Sequence, residues 1–253
     1  MKNYIKSITL TLLIGIGLIV QSCDNNEPGL ANVKLEMKAT TTLSSLNPSG
    51  RVMETGLVFT EIILGVTEIE FETLEENNSE DNGDFEDEDG DGEDDNEEIE
   101  FEGNFVVDLI TGTSTPDFGA ADITPGLYEE IEIEMGPILD GGLTMFVAFQ
   151  YTPDGGTESV SYEFSTTEEI EFELENESGF FLDENALNQM LIVIDLDVIF
   201  ANVDLSNATA DSDRIVRINN SSNSQLYGQI FQSLNDAMEG GEDDDHDGEI
   251  DGD

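Results

Sequence analysis

The 253-residue chain carries 59 acidic side chains against seven lysines and arginines, a formal net charge of −52, with one cysteine, one histidine and no tryptophan. A field of that sign excludes charge-driven binding to nucleic acid or to anionic lipid headgroups. The lone histidine (His246) and lone cysteine (Cys23) exclude a Ser-His-Asp triad or a histidine-rich zinc site in the core and an intramolecular disulfide, and no P-loop or G-x-G-x-x-G pattern occurs.

At the start of the chain, Lys2 and Lys6 precede an apolar run over residues 8–20 that is short for a bilayer span. The following Val20-Gln21-Ser22-Cys23 resembles the lipobox of bacterial lipoproteins. That resemblance implies a signal peptide over residues 1–22, cleavage before Cys23 and lipidation of its thiol, with residues 23–30 as a polar tether. Each acyl CH₂ removed from water contributes about 0.8 kcal/mol, so three chains would hold durably. Asp24-Asn25-Asn26-Glu27-Pro28-Gly29 is similar to the export signals of Bacteroidota surface lipoproteins. This implies an outer-membrane lipoprotein, surface-exposed or periplasm-facing. Loss of Lys2 and Lys6 leaves five basic residues against 59 acidic ones, a net of −54.

Residues 31–238 read as one β-domain. Val33, Leu35 and Met37 alternate with polar residues, as do Ile62, Leu64 and Val66. The parity then flips to Ile69 and Phe71, which predicts a bulge near Thr67. Glu68-Ile69-Glu70-Phe71-Glu72 recurs as Glu98-Ile99-Glu100-Phe101-Glu102 across a nearly pure acidic insert, residues 75–98. Paired antiparallel, the copies set Ile69 opposite Phe101 and Phe71 opposite Ile99, with glutamates in water on the other side. The pentapeptide returns at Glu169-Ile170-Glu171-Phe172-Glu173, and nearly so at Glu130-Ile131-Glu132-Ile133-Glu134, so Phe71, Phe101 and Phe172 are all expected inside. Thr124-Pro125-Gly126 suits a type II turn, and Pro153-Asp154-Gly155-Gly156 suits a hairpin between runs ending in Tyr151 and beginning at Val160. Residues 191–196 read as a central strand, and only residues 223–238 show a helical period, with Leu226, Ile230, Phe231 and Leu234 on one face. The fold class is therefore all-β, an antiparallel sandwich with one C-terminal amphipathic helix. The acidic insert and the acidic tail, residues 239–253, are expected to stay disordered unless a cation neutralises them.

Asn104-Phe105-Val106-Val107-Asp108-Leu109 followed by Ile123-Thr124-Pro125-Gly126-Leu127-Tyr128 resembles uncharacterised domains of Bacteroidota-type lipoproteins. Those domains are regarded as prealbumin-like or immunoglobulin-like sandwiches, which implies a fold and no activity.

Chemistry concentrates in two acidic segments. Asp87, Asp89, Asp91, Gly92, Asp95 and Glu98 satisfy the spacing D-x-[DN]-x-[DN]-G-x₅-E, and Asp243, Asp245, Asp247, Gly248 and Asp251 repeat its first part. Ca²⁺ takes six to eight hard oxygens, which alternate carboxylates on a backbone turning at glycine can supply. Both segments resemble EF-hand loops and the calcium repeats of thrombospondin type 3. A segment made of Asp, Glu and Gly also meets such spacing by chance, so diffuse binding stays open beside a specific site. Tyr128, Tyr151, Tyr162 and Tyr227 are expected to pack with their hydroxyls at the rim, and Arg214 and Arg217 to neutralise nearby carboxylates. These features predict a non-enzymatic surface lipoprotein that binds Ca²⁺ weakly and serves a protein or glycan partner or the envelope itself. An accessory glycan-binding subunit is the alternative, and a carboxylate-based hydrolase the third.

Overall fold

Period-2 alternation becomes strand almost wherever it occurs. The computed structural model describes residues 30–41, 51–52, 56–73, 98–118, 120–153, 157–184, 186–243 and 245–251. The expected signal peptide, Cys23, the tether and Asp87, Asp89, Asp91 and Asp95 lie outside the described residues, and of Glu98 only the backbone position is described. The strands are β1 (Ala31–Thr40), β2 (Arg51–Val52), β3 (Leu57–Thr73), β4 (Glu98–Asp108), β5 (Thr113–Thr115), β6 (Ala120–Ile123) and β7 (Gly126–Met135). They continue as β8 (Met145–Tyr151), β9 (Val160–Thr166), β10 (Ile170–Leu182), β11 (Leu187–Asp195), β12 (Ile215–Ile218) and β13 (Met238–Glu242). Two α-helices accompany them among the described residues, α1 (Leu196–Phe200) and α2 (Ser224–Gln232).

The strands form two sheets, a small one ordered β13-β11-β1-β6 and a large one built on the path β10-β7-β3-β8-β9-β12. Residues of one parity from both sheets meet in one core, with Val33, Leu35 and Met37 of β1 joining Ile69 and Phe71 of β3 and Ile131 and Ile133 of β7. The protein is thus an all-β sandwich, as the patterning predicted. The pairing is mixed, however: β1 runs parallel to β11 and β9 parallel to β12. Strand period carries no direction, so sequence could not distinguish the two.

β3 is the spine of the large sheet. It pairs with β2 and β8 along its first half and with β4 and β7 along its second. The register shifts between Val66 and Glu68, where the parity flip placed a bulge. A second shift, between Phe59 and Glu61, brings Leu57 and Phe59 onto the same buried side as Ile62. Ile69 pairs with Phe101 and Phe71 with Ile99, as expected for the repeated pentapeptide.

Several expectations are corrected. Phe71 and Phe172 are buried, but Phe101 is only partly so, because β4 lines an open groove of about 320 Å³ with Phe105 and Phe118. Gly126 does not adopt positive φ and there is no type II turn. Instead, Thr124 and Pro125 carry the chain from β6 in the small sheet to β7 in the large one. The Tyr128 hydroxyl fixes this crossing by donating to the Thr124 carbonyl at 2.7 Å, as a tyrosine corner does in other sandwiches. The C-terminal helix ends at Gln232, and the presumed disordered tail begins with β13, which completes the small sheet against β11. The central-strand reading of residues 191–196 holds as far as Asp195, whose side chain accepts from the Asp197 amide and starts the unexpected α1.

The tyrosines pack into the sandwich as expected, but the Tyr162 hydroxyl is buried and not at the rim: it donates to Leu205 O while its ring stacks on Phe149 at 5.1 Å, and Tyr227 hydrogen-bonds with Thr166. Arg217 pairs with Asp211, Asp213 and Glu163. Among the described residues no helix is long and apolar enough to cross a membrane.

Phe71 touches Phe101 and Tyr128 edge-to-face in the core. Phe71→Ala and Phe172→Ala are expected to lower unfolding free energy by about 3–5 kcal/mol each, and Phe101→Ala by roughly half that, because part of its ring already meets water. Urea denaturation of the three variants checks the ranking.

Candidate divalent-cation sites

The four pentapeptides assemble into a lattice. β10, β7, β3 and β4 lie side by side, and their glutamates are in direct cross-strand register. One row reads Glu171, Glu134, Glu68, Glu102, the next Glu173, Glu132, Glu70, Glu100, and the third Glu175, Glu130, Glu72 and the Glu98 position. Adjacent strands are about 4.8 Å apart and residues of one face recur about every 6.7 Å along a strand, so the carboxylates stand on a regular grid. The apolar residues between them point into the core, which leaves the glutamates no other side to occupy.

Like charges so placed favour protonation. Glu68 shares a hydrogen bond with Glu100, is partly desolvated and faces Glu100, Glu134 and Glu102, and its carboxyl is pushed up to about 7. Glu130 and Glu132 are raised by desolvation and then by neighbouring glutamates, and Glu173 is raised first by its hydrogen bond with Glu171. Carboxylate oxygens of Glu130, Glu132 and Glu173 converge within 4.8 Å.

The second constellation is the loop after β13. Asp243 continues the sheet ladder, its amide donating to Gln189 O of β11 at 2.9 Å. Its side chain is fully buried. Oδ2 accepts from Gln189 Nε2 at 2.8 Å and from the Gly248 amide at 3.1 Å, whereas Oδ1 has no hydrogen-bond partner among the described residues. A buried oxygen left unpaired costs about 1–3 kcal/mol, and more for an ion. The chain then turns so that oxygens of Asp243, Asp245 and Asp247 lie within 4.8 Å of one another. Asx contacts set this turn: the Asp247 amide donates to Asp245 Oδ1 and the Glu249 amide to Asp247 Oδ1. Gly248 has φ +79°, a conformation that favours glycine, and the Nζ of Lys38 of β1 lies 2.6 Å from where a Cβ would stand.

Of the metal ligands expected from sequence, Asp243, Asp245 and Asp247 are brought together. The Asp251 carboxylate is not in that group; its amide instead donates to Glu242 O. Sequence reasoning missed Gln189 and Lys38, which have no motif of their own and reach the loop only across the sheet. It also paired two pentapeptides where four share one face. The repeats of Glu-x-Glu at four places were the signal, but strand order was not in it. Comparison with protein-family models, with curated proteins and with solved structures finds no match.

The lattice implies an inverted pH response. Between pH about 4.5 and about 7 the folded chain holds a proton on Glu68 that the unfolded chain has released. Stability falls with rising pH wherever the native state binds more protons. In the presence of chelator the urea midpoint is therefore expected to rise as pH is lowered from 7.5 towards 5, and Glu68→Gln is expected to flatten that slope.

Proposed function

We propose that this chain is a lipid-anchored, non-enzymatic protein of the bacterial envelope, whose acidic sandwich binds a partner or supports the envelope in a manner responsive to divalent cations. The observation that carries the reading is the glutamate lattice. An ordered sheet face of uniform sign repels itself, so a cation that settles there stabilises the fold. Extracellular calcium modules working with affinities of about 10⁻⁴–10⁻³ M suit that environment. The anchor rests on the Val20-Gln21-Ser22-Cys23 sequence. A glycan platform of exposed tyrosines is disfavoured, since Tyr128 and Tyr162 are buried and Tyr151 and Tyr227 partly so. The raised glutamates stand on a sheet face and project from regular strands, which supports cation binding over hydrolysis.

Two measurements test this. Cys23→Ala is expected to abolish incorporation of a palmitate analogue, and unchanged labelling would remove the anchor. A tenfold excess of cation over its Kd stabilises by about 1.4 kcal/mol. Ca²⁺, and Mg²⁺ to a lesser extent, are expected to raise the urea midpoint beyond NaCl at matched ionic strength. Equal responses to all three would reduce the effect to charge screening.

A further inference from the structure

We propose that Asp243, Asp245 and Asp247 form one calcium site that fastens the loop after β13 onto the outer face of the small sheet and so holds β13 at its edge. The inference rests on the cation-responsive part of the reading above, not on the lipid anchor, and it assigns that response to one place.

The argument starts from the unpaired oxygen. Gln189 and Gly248 both donate to Oδ2 of Asp243, so Oδ1 is the atom of a fully buried carboxylate that has no hydrogen-bond partner among the described residues. A water could donate one hydrogen bond to it, but would leave three negative charges gathered within 4.8 Å. A divalent ion bound through Oδ1 would answer both problems at once. Two oxygens on opposite sides of a Ca²⁺ are about 4.8 Å apart, and the three carboxylates span no more than that. Mg²⁺ binds at about 2.0–2.1 Å, demands near-ideal octahedral geometry and gives up water reluctantly, so a loop with three carboxylates and free positions favours Ca²⁺. The rest of the coordination sphere falls to water or backbone oxygens, consistent with weak affinity.

What the ion would fasten is visible in the packing. Leu191 of β11 is fully buried although its neighbours Met190 and Ile192 are the ones that face the main core. Its cross-strand partner is Gly241, and a Cβ on Gly241 would meet Ile250 Cγ2 at 2.5 Å. Ile250 thus fills the place of the missing side chain beside Leu191, closing a small apolar contact on the outer face. The Asp251 amide donates to Glu242 O and Lys38 Nζ lies against Gly248, so the loop lies back over β13, β11 and β1. Asp243 belongs to the sheet, while Asp245 and Asp247 belong to the exposed loop. One ion shared among them ties loop to sheet.

The test is calorimetric titration of the full chain in detergent, freed of metal by chelator, with CaCl₂ and MgCl₂ at constant ionic strength. One saturable calcium site per chain is expected at about 10⁻⁴–10⁻³ M, with Mg²⁺ about tenfold weaker or more. Asp245→Asn combined with Asp247→Asn, both exposed and so harmless to folding, is expected to weaken calcium about tenfold or more. Glu132→Gln combined with Glu173→Gln should leave that site unchanged. Hydrogen exchange over residues 240–248 is expected to slow with calcium in the parent chain and not in the loop variant. A site unaffected by the loop substitutions, or binding that leaves exchange over residues 240–248 unchanged, would overturn the proposal. If stabilisation by calcium is lost only in the lattice variant, the site is wrong and the broader reading survives. If no chain responds to either cation, both fall.

Discussion

Rows of glutamate directly opposed across four strands push those strands apart, and burial on the reverse face holds them together. Along the same rows run Phe172, Ile133, Ile69 and Phe101, then Leu174, Ile131, Phe71 and Ile99. Burying one such side chain contributes about 1.5–3 kcal/mol, whereas two charges 4 Å apart in water repel by about 1 kcal/mol. Burial wins, but each row of hydrophobic gain is reduced by a row of repulsion. Slipping any one strand by a single residue would turn its isoleucines and phenylalanines outward and its glutamates inward. The register is therefore strongly specified, and the lattice follows from the core.

The same competition explains the local protonation behaviour. A carboxylate crowded by other carboxylates lowers its energy by keeping a proton, as Glu68 does beside Glu100, Glu134 and Glu102, or by sharing a cation. Arg217 of β12, in contrast, finds three carboxylates around it, Glu163 on β9 and Asp211 and Asp213 in the turn before β12, and neutralises that cluster. With five basic residues beyond position 6 for the whole chain, that solution cannot be repeated across the lattice. Negative charge on the lattice is left to solvent ions, which ties the stability of the fold to the medium around it.

The small sheet meets the charge differently. Its edge strand β13 is short, glycine-containing and acidic, a poor strand former by composition. It is held by pairing with β11, by Leu174 packing against the space over Gly240, and by Ile250 packing over Gly241. A strand made this way depends on what the following loop does. That dependence places Asp243, at the junction, in a position where ligand binding and edge-strand stability are one equilibrium.

The amino-acid sequence by itself determined the strand class, the buried parity, the bulge at Thr67, the antiparallel pairing of the first two pentapeptides and the clustering of Asp243, Asp245 and Asp247. Each of these depends on residues close in the chain or on a period of two, and both are legible without coordinates. Only the tertiary structure decided that four pentapeptides share one face, that β1 and β11 run parallel, and that the tail opens with a strand. Those outcomes depend on which distant segments become neighbours, and alternation is the same for every neighbour and either direction. The same reason hides Gln189, 54 residues from Asp243 in the chain, whose amide occupies one carboxylate oxygen and leaves the other without a partner.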